Sequence, residues 1–146
     1  MELPPDIAAA IDALCLEGRA LEEAQDFNGA IAKYRSAYNL MPVPRESQDT
    51  AWWFFAVIGD CYFSLRDYAR ADDEFRHAMV YSETFGNAFI RKRRGQILLE
   101  LGHDKKALEE LAAAYMLDGA EIFAGEDPKY FEFVKRNLRP PASGKW

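Results

Sequence analysis

Two stretches of this chain repeat one another at a fixed interval. Gly59, Tyr62, Leu65, Tyr68, Ala71, Phe75 and Ala78 answer in order to Gly95, Leu98, Leu101, Asp104, Ala107, Leu111 and Ala114, each pair 36 residues apart. The spacings inside each stretch place these residues on one side of an α-helix, broken once by a turn. A repeat of this length can fold in few ways. Each unit is a pair of helices that cannot bury its own apolar face and must stack on a neighbour. A third copy is offset: Gly18, Ala30, Tyr34 and Ala37 lie 41 residues ahead of Gly59, Ala71, Phe75 and Ala78. The five extra residues belong to the segment 41–48, where Pro42 and Pro44 cannot continue a helix.

Taken in order, Pro4, Pro5 and Asp6 make a helix entry, because proline suits the first turn and aspartate its positive end. Ile7, Ala10, Ile11, Leu14, Cys15, Gly18, Leu21 and Ala24 then draw one apolar stripe. The break at Gln25, Asp26, Phe27 and Asn28 returns a second helix antiparallel to the first. Hairpin one therefore covers about 6–41, with the loop at 42–48. Hairpin two covers about 50–82, as helices over 50–65 and 68–82 joined at Asp67. Hairpin three covers about 87–118, with Asn87 capping its first helix and a turn at Gly102, His103 and Asp104. Asp127 and Pro128 open a terminal helix over about 128–138. Phe131, Val134 and Leu138 line one face of it, with Tyr130 and Phe133 flanking. Residues 139–146, with two prolines, a glycine and a serine, read as a frayed tail. The whole chain, 1–146, reads as a single domain.

These hairpins resemble the tetratricopeptide repeat (TPR) family over about residues 8–118. Hairpin two carries the pattern at Phe55, Ile58, Gly59, Tyr62, Tyr68, Ala71, Phe75 and Ala78. Hairpin three carries it at Gly95, Leu98, Leu101, Gly102, Ala107, Leu111 and Ala114. Hairpin one carries it at Leu14, Gly18, Leu21, Phe27, Ala30, Tyr34, Ala37 and Pro42. The resemblance implies an all-α fold: a right-handed superhelical stack of three helix-turn-helix hairpins with a C-terminal capping helix. Gly18, Gly59, Gly95, Ala30, Ala71 and Ala107 fall where paired helices approach most closely, and a larger side chain there would force them apart. Tyr34, Phe75 and Leu111 are expected to fill the space beneath the next hairpin. Hairpin three departs from the family at Arg91 and Arg94, which stand where an aromatic and a leucine are usual. Either its first helix is rotated, or the two arginines lie over the neighbouring helix with their stems packed.

Chemistry is hard to place on this chain. His77 and His103 have no metal-ligand spacing to a partner. No phosphate loop, nucleotide fingerprint or nucleophile elbow occurs. Asp72, Asp73 and Glu74 lack the glycine-bent loop of a cation site and read as a solvated helix face. No catalytic residue, metal or cofactor is assigned, and the chain reads as non-enzymatic. Cys15 and Cys61, the only cysteines, lie in apolar helical stretches and read as reduced thiols of the cytoplasm. No run is long and apolar enough for a membrane span. The opening Met1, Glu2, Leu3 and Pro4 lack the basic start of a signal peptide.

What remains is a surface. The net charge of −6 argues against nucleic acid and anionic membranes. Residues 1–85 hold 15 acids and 7 bases, and residues 86–146 hold 9 acids and 11 bases. Such polarity suits a steered protein partner. By the TPR resemblance, the first helix of each hairpin would present a concave face that grips a peptide or a partner's helix. That face would hold Cys15, Arg19 and Glu22, then Trp53, Ala56, Asp60 and Phe63, then Phe89, Lys92, Arg93, Gln96 and Leu99. Arg19, Trp53, Asp60, Phe63, Phe89, Lys92, Arg93 and Gln96 are the candidate partner-binding residues, combining aromatic anchors with cations. Of the consecutive Arg91, Lys92, Arg93 and Arg94, only Lys92 and Arg93 are expected to reach the groove, since successive helical residues point about 100° apart. Chaperone-binding members of the family carry a carboxylate clamp. Its positions match Cys15, Arg19, Val57, Phe89 and Arg93, and only Arg93 keeps the required type, so that ligand is not expected.

The function implied is a small bacterial, cytoplasmic module that binds one protein or peptide, such as a toxin-neutralising immunity protein. The alternatives are an escort or secretion chaperone for another protein, and a homo-oligomer built through exposed Trp52, Trp53 or Phe89.

Overall fold

The computed structural model describes residues 3–146; Met1 and Glu2, the first two residues of the N-terminal run read above, lie outside the described residues. Among the described residues there are seven α-helices and no strand. They are α1 (Pro5–Glu23), α2 (Phe27–Asn39), α3 (Ala51–Ser64), α4 (Tyr68–Ala78), α5 (Ala88–Glu100), α6 (Asp104–Asp118) and α7 (Pro128–Asn137), with 3-10 turns at Arg45–Ser47, Ser82–Thr84 and Ala120–Phe123. The expected all-α fold of three helical hairpins and a terminal helix is what the chain adopts. It forms two compact units, Met1–Val80 and Tyr81–Trp146.

The repeated glycines explain the hairpins. A Cβ on Gly18 would lie 2.8 Å from the Tyr34 ring, one on Gly59 2.6 Å from the Phe75 ring, and one on Gly95 2.6 Å from Leu111 Cγ. In every hairpin the glycine meets the bulky residue sixteen positions later. Tyr34, Phe75 and Leu111 are thus each seated on their own hairpin's glycine. Ala30, Ala71, Ala107, Ala37, Ala78 and Ala114 have no exposed surface, as close helix approach requires.

The turns repeat as faithfully as the cores. Asp26 N–H donates to Leu21 O (2.8 Å), Asp67 N–H to Tyr62 O (2.9 Å) and His103 N–H to Leu98 O (2.9 Å). Gln25, Arg66 and Gly102 donate to the carbonyls of Glu22, Phe63 and Leu99. This is the Schellman arrangement, which needs a left-handed residue just past the helix end. Gln25 (φ 64°), Arg66 (φ 60°) and Gly102 (φ 83°) occupy that position. Asp26 and Asp67 then serve as N-caps, accepting from Gly29 N–H (3.0 Å) and Arg70 N–H (3.2 Å). One residue thus closes one helix through its backbone N–H and opens the next through its side chain.

In the first unit, Ala30, Ile31 and Tyr34 of α2 pack with Ile58 and Cys61 of α3. Ile11, Ala37, Met41 and Phe54 form an adjoining cluster. Arg35 on α2 reaches Glu74 on α4 at 2.8 Å. The 42–48 loop is shaped by Arg45, whose Nη2 donates to Asn39 O at 2.8 Å.

In the second unit, α7 buries Tyr130, Phe133 and Val134. Its inner face is therefore rotated by one residue from the expected Phe131, Val134 and Leu138. Phe131 instead stacks on Phe123, with ring centroids 4.8 Å apart and planes 7° apart. The tail is not frayed. Trp146 makes T-shaped contacts with Tyr115 (5.7 Å) and Phe131 (6.1 Å), and this aromatic socket offsets the poor helix propensity of the segment before it.

Candidate interaction surfaces

On α1, Ile11, Asp12, Cys15, Leu16 and Arg19 share one helical face and look across to Trp52, Trp53 and Phe54 at the start of α3. With Leu3, Met41 and Thr50 they line a groove of about 650 Å³. The floor is apolar. Trp53 stands edge-on to Tyr34 (5.8 Å) and to Phe54 (5.1 Å), which fixes its ring. Leu16 is 65% exposed at the rim. Among the described residues, the formal charges lining the groove are Asp12 and Arg19. They stand seven residues, or two helical turns, apart, which is about 10 Å along α1.

Beneath this groove Tyr34 donates to Glu22 through a short hydrogen bond. Burial, then the bond to Glu22, pushes the Tyr34 phenol above its ordinary range. Burial, then the Glu22 carboxylate, likewise pushes the Cys61 thiol up. Cys15 is raised by burial first and by Asp12 second. Neither thiol is poised as a nucleophile. Among the described residues no group of three His, Cys, Asp or Glu side chains is placed to hold a metal.

The second surface is the cationic run of α5. Arg91 Nη1 lies 3.0 Å from Glu110 and Arg94 Nη1 lies 2.8 Å from the same carboxylate. The arginines at the family's apolar positions therefore reach across to α6, which decides between the two sequence readings. Lys92 and Arg93 point elsewhere. Lys92 Nζ is 2.8 Å from Glu126 Oε1, and Arg93 Nη1 is 3.1 Å from the same oxygen. Arg93 also donates to Gln96 Oε1 at 2.7 Å. Both cations sit by the Phe89 ring, at 5.1 and 5.2 Å from its centroid. For Glu126, burial alone would raise the carboxyl pKa, but the Lys92 hydrogen bond and the charges of Arg93 and Lys92 override it and hold it low.

The candidate residues thus fall into groups. Arg19 and Trp53 meet in the first groove. Phe89, Lys92, Arg93 and Gln96 meet on α5, although Lys92 and Gln96 are buried. Asp60 and Phe63 lie further along α3 and outside the groove lining, where Phe63 packs on Tyr68 at 5.8 Å. Sequence reasoning missed Leu16 and Glu126, and it offered Trp52 only for self-association. Leu16 had a signal, being an apolar residue off the α1 stripe. Glu126 had none, because its partners lie thirty-three and thirty-four positions earlier in the chain.

No protein-family profile matches the chain. The G-protein-signaling modulator 1 proteins of Mus musculus and Rattus norvegicus are each 32% identical to it over 74 residues. That stretch is 51% of this chain but only 10% of theirs. Among solved structures, the TPR domain of Arabidopsis OM64 superposes with a TM-score of 0.68 at 18% identity, covering 89% of this chain and 95% of that one. The first TPR of Spaghetti (RPAP3), bound to the HSP90 peptide SRMEEVD, superposes with a TM-score of 0.67 at 14% identity, covering 88% and 90%. The Sgt2 TPR domain of Aspergillus fumigatus gives 0.63 at 17% identity, covering 95% and 87%. With the glycine-to-bulky contact and the Schellman turn repeated in all three hairpins, these likenesses identify the fold of this chain as that of the tetratricopeptide repeat.

Proposed function

We propose that this chain is a non-enzymatic protein-binding module whose principal contact is the groove between α1 and α3. The observation that carries this reading is the apolar groove of about 650 Å³ with Asp12 and Arg19 in its lining. Leu16, Trp52 and Trp53 supply an apolar anchor site, and Asp12 and Arg19 supply orientation. The occupant that fits is a partner's amphipathic segment with one apolar stripe and opposite charges about two helical turns apart, a basic group meeting Asp12 and an acidic one meeting Arg19. A TPR domain of the same fold was solved with a peptide bound, which supports a peptide-like occupant here.

The finer readings, a toxin-neutralising immunity protein and an escort, use the same surface. They separate on one measurement: an immunity protein abolishes its partner's activity in the complex, whereas an escort preserves it after release. The module itself is tested by purification from native cells, with Leu16→Asp and Arg19→Glu as groove variants. A stoichiometric partner that both variants lose, at unchanged helicity, supports the reading. A chain recovered alone, or a partner retained by both variants, overturns it. Light scattering over a dilution series tests the homo-oligomer, since a monomer at every concentration removes it.

A further inference from the structure

The end of the second unit does not close as a solenoid cap should. A terminal element normally finishes a stack with a polar outer face. Here α6 ends on Met116, which is 81% exposed, and Leu117, which is exposed as well. Met116 lines a hollow of about 450 Å³ together with Tyr115, Gly119, Leu138, Pro141 and Trp146, and Arg139 is the formal charge in that lining among the described residues. The wall formed by the tail is held in place. Trp146 is pinned by Tyr115 and Phe131. Before it the chain turns, with Gly144 N–H donating to Pro141 O at 2.8 Å and Lys145 N–H to Ser143 Oγ at 3.3 Å. A concave apolar surface whose walls are already ordered costs little to fill. The charge of this segment has one sign. Residues 133–146 hold Lys135, Arg136, Arg139 and Lys145 and no acid. Lys135 is answered by Glu132 at 2.9 Å, whereas Arg136, Arg139 and Lys145 make no ion pair among the described residues. Asp118, two residues beyond Met116, is exposed and lies outside the lining.

We propose that this hollow is a docking site for an acidic segment of a protein partner. The segment seats one bulky apolar side chain among Tyr115, Met116, Leu138 and Trp146. Its flanking carboxylates meet Arg139, and Arg136 and Lys145 add to the field that draws them in. The hollow favours an inserted side chain over a lipid surface, onto which an amphipathic helix would lay a continuous apolar face. This site lies wholly within the second unit, holds none of the positions matched to the carboxylate clamp, and does not rest on the α1–α3 groove.

The test uses the full chain and a fluorescein-labelled peptide, EELEELFEELEE, amidated at its C-terminus, with binding read by fluorescence anisotropy. Arg139→Glu should weaken binding about tenfold or more, because a cation facing the ligand becomes a repelling charge. Met116→Asp should weaken it by a similar factor, and about 0.5 M salt should weaken the wild-type complex. Both residues are exposed, so circular dichroism should show unchanged helicity in each variant. Leu16→Asp and Arg19→Glu, which damage the α1–α3 groove, should leave the affinity as it is. A peptide with serine at each leucine and phenylalanine should bind more weakly, and so should one with glutamine at each glutamate. No binding of the acidic peptide to wild type, or equal affinity for wild type, Arg139→Glu and Met116→Asp, overturns the proposal. Binding that only Leu16→Asp and Arg19→Glu remove places the peptide in the groove and overturns it too. Binding to phosphatidylserine vesicles without binding to the peptide makes this a lipid surface, and self-association that Arg139→Glu abolishes, with no peptide bound, makes a second copy the occupant; either result overturns the reading.

Discussion

Gly59→Ala sets two physical effects of opposite sign against each other. Alanine is the better helix former by about 1 kcal/mol in a helix interior, so propensity alone predicts a more stable protein. Packing predicts the reverse. The added methyl would lie 2.6 Å from both Cδ2 and Cε2 of Phe75 and 3.1 Å from Glu74 Cβ. Carbon contacts are comfortable at about 3.5–4.0 Å, so the overlap is roughly 1 Å. Phe75 has no exposed surface and cannot swing into solvent. It must leave its rotamer or push α3 and α4 apart, and such overpacking costs about 1–3 kcal/mol. The net expectation is a loss of about 1 kcal/mol, which at a slope of roughly 2 kcal/mol per molar moves a urea midpoint down by about half a molar. Gly86→Ala is the control, since a Cβ there meets nothing within 4 Å. Urea unfolding should be followed by circular dichroism and by tryptophan fluorescence in a Trp146→Phe background, where Trp52 and Trp53 report on the first unit. If Gly59→Ala proves as stable as wild type or more so, the close-approach account of all three hairpins fails.

Other consequences follow from the turns and the buried charges. Gln25→Gly and Arg66→Gly should each stabilise the chain by about 0.5–1 kcal/mol, because both residues are held left-handed where glycine is unstrained, and Gly102→Ala should cost a similar amount; thermal or urea unfolding of each variant checks the signs. Glu110→Ala should destabilise the second unit by about 3 kcal/mol or more, since it leaves Arg91 and Arg94 facing each other without their shared carboxylate, whereas replacing all three with apolar residues of similar volume should be close to neutral. For Glu126 burial opposes ionisation, but Lys92 and Arg93 outweigh it and lower the folded pKa. For Glu100 burial is likewise outweighed, here by Lys129 and Tyr130. A carboxyl depressed in the folded state contributes stability that is present above its unfolded pKa of about 4.3 and is lost as pH falls through the folded value. The second unit should therefore weaken below about pH 4. Glu126→Gln and Glu100→Gln should flatten that limb in urea titrations at stepped pH.

How far the sequence could be read depended on whether the signal was local and repeated. The Gly18, Gly59 and Gly95 contacts were legible because each is set by spacing within one hairpin, and three copies made the spacing visible. Gln25 and Arg66 hid the same left-handed turn that Gly102 announces, because two of the three copies tolerate strain where glycine would remove it. Arg91 and Arg94 were recognised as departures, yet their resolution lay sixteen and nineteen residues away in Glu110, a glutamate on α6 with nothing to distinguish it. The tail failed for a related reason: composition speaks for the prolines and glycine of 139–146 but not for what a terminal tryptophan can reach.

The binding surface was less legible than the fold, and the physical reason is partner choice. A helical pattern tells which way a side chain points, not whether the chain supplies its partner. Arg19 and Lys92 are both cations on first helices of their hairpins, and the pattern treats them alike. Arg19 lines an open groove, while Lys92 is 7% exposed and paired with Glu126. Reversing Lys92 and Arg93 to glutamate would therefore gather three carboxylates around a buried position, and the loss of binding it caused could not be separated from a loss of folding. Neutralising Glu126 asks about the same site from the other side. It leaves both cations in place, and a fall in the urea midpoint reads what their shared carboxylate contributes to the second unit.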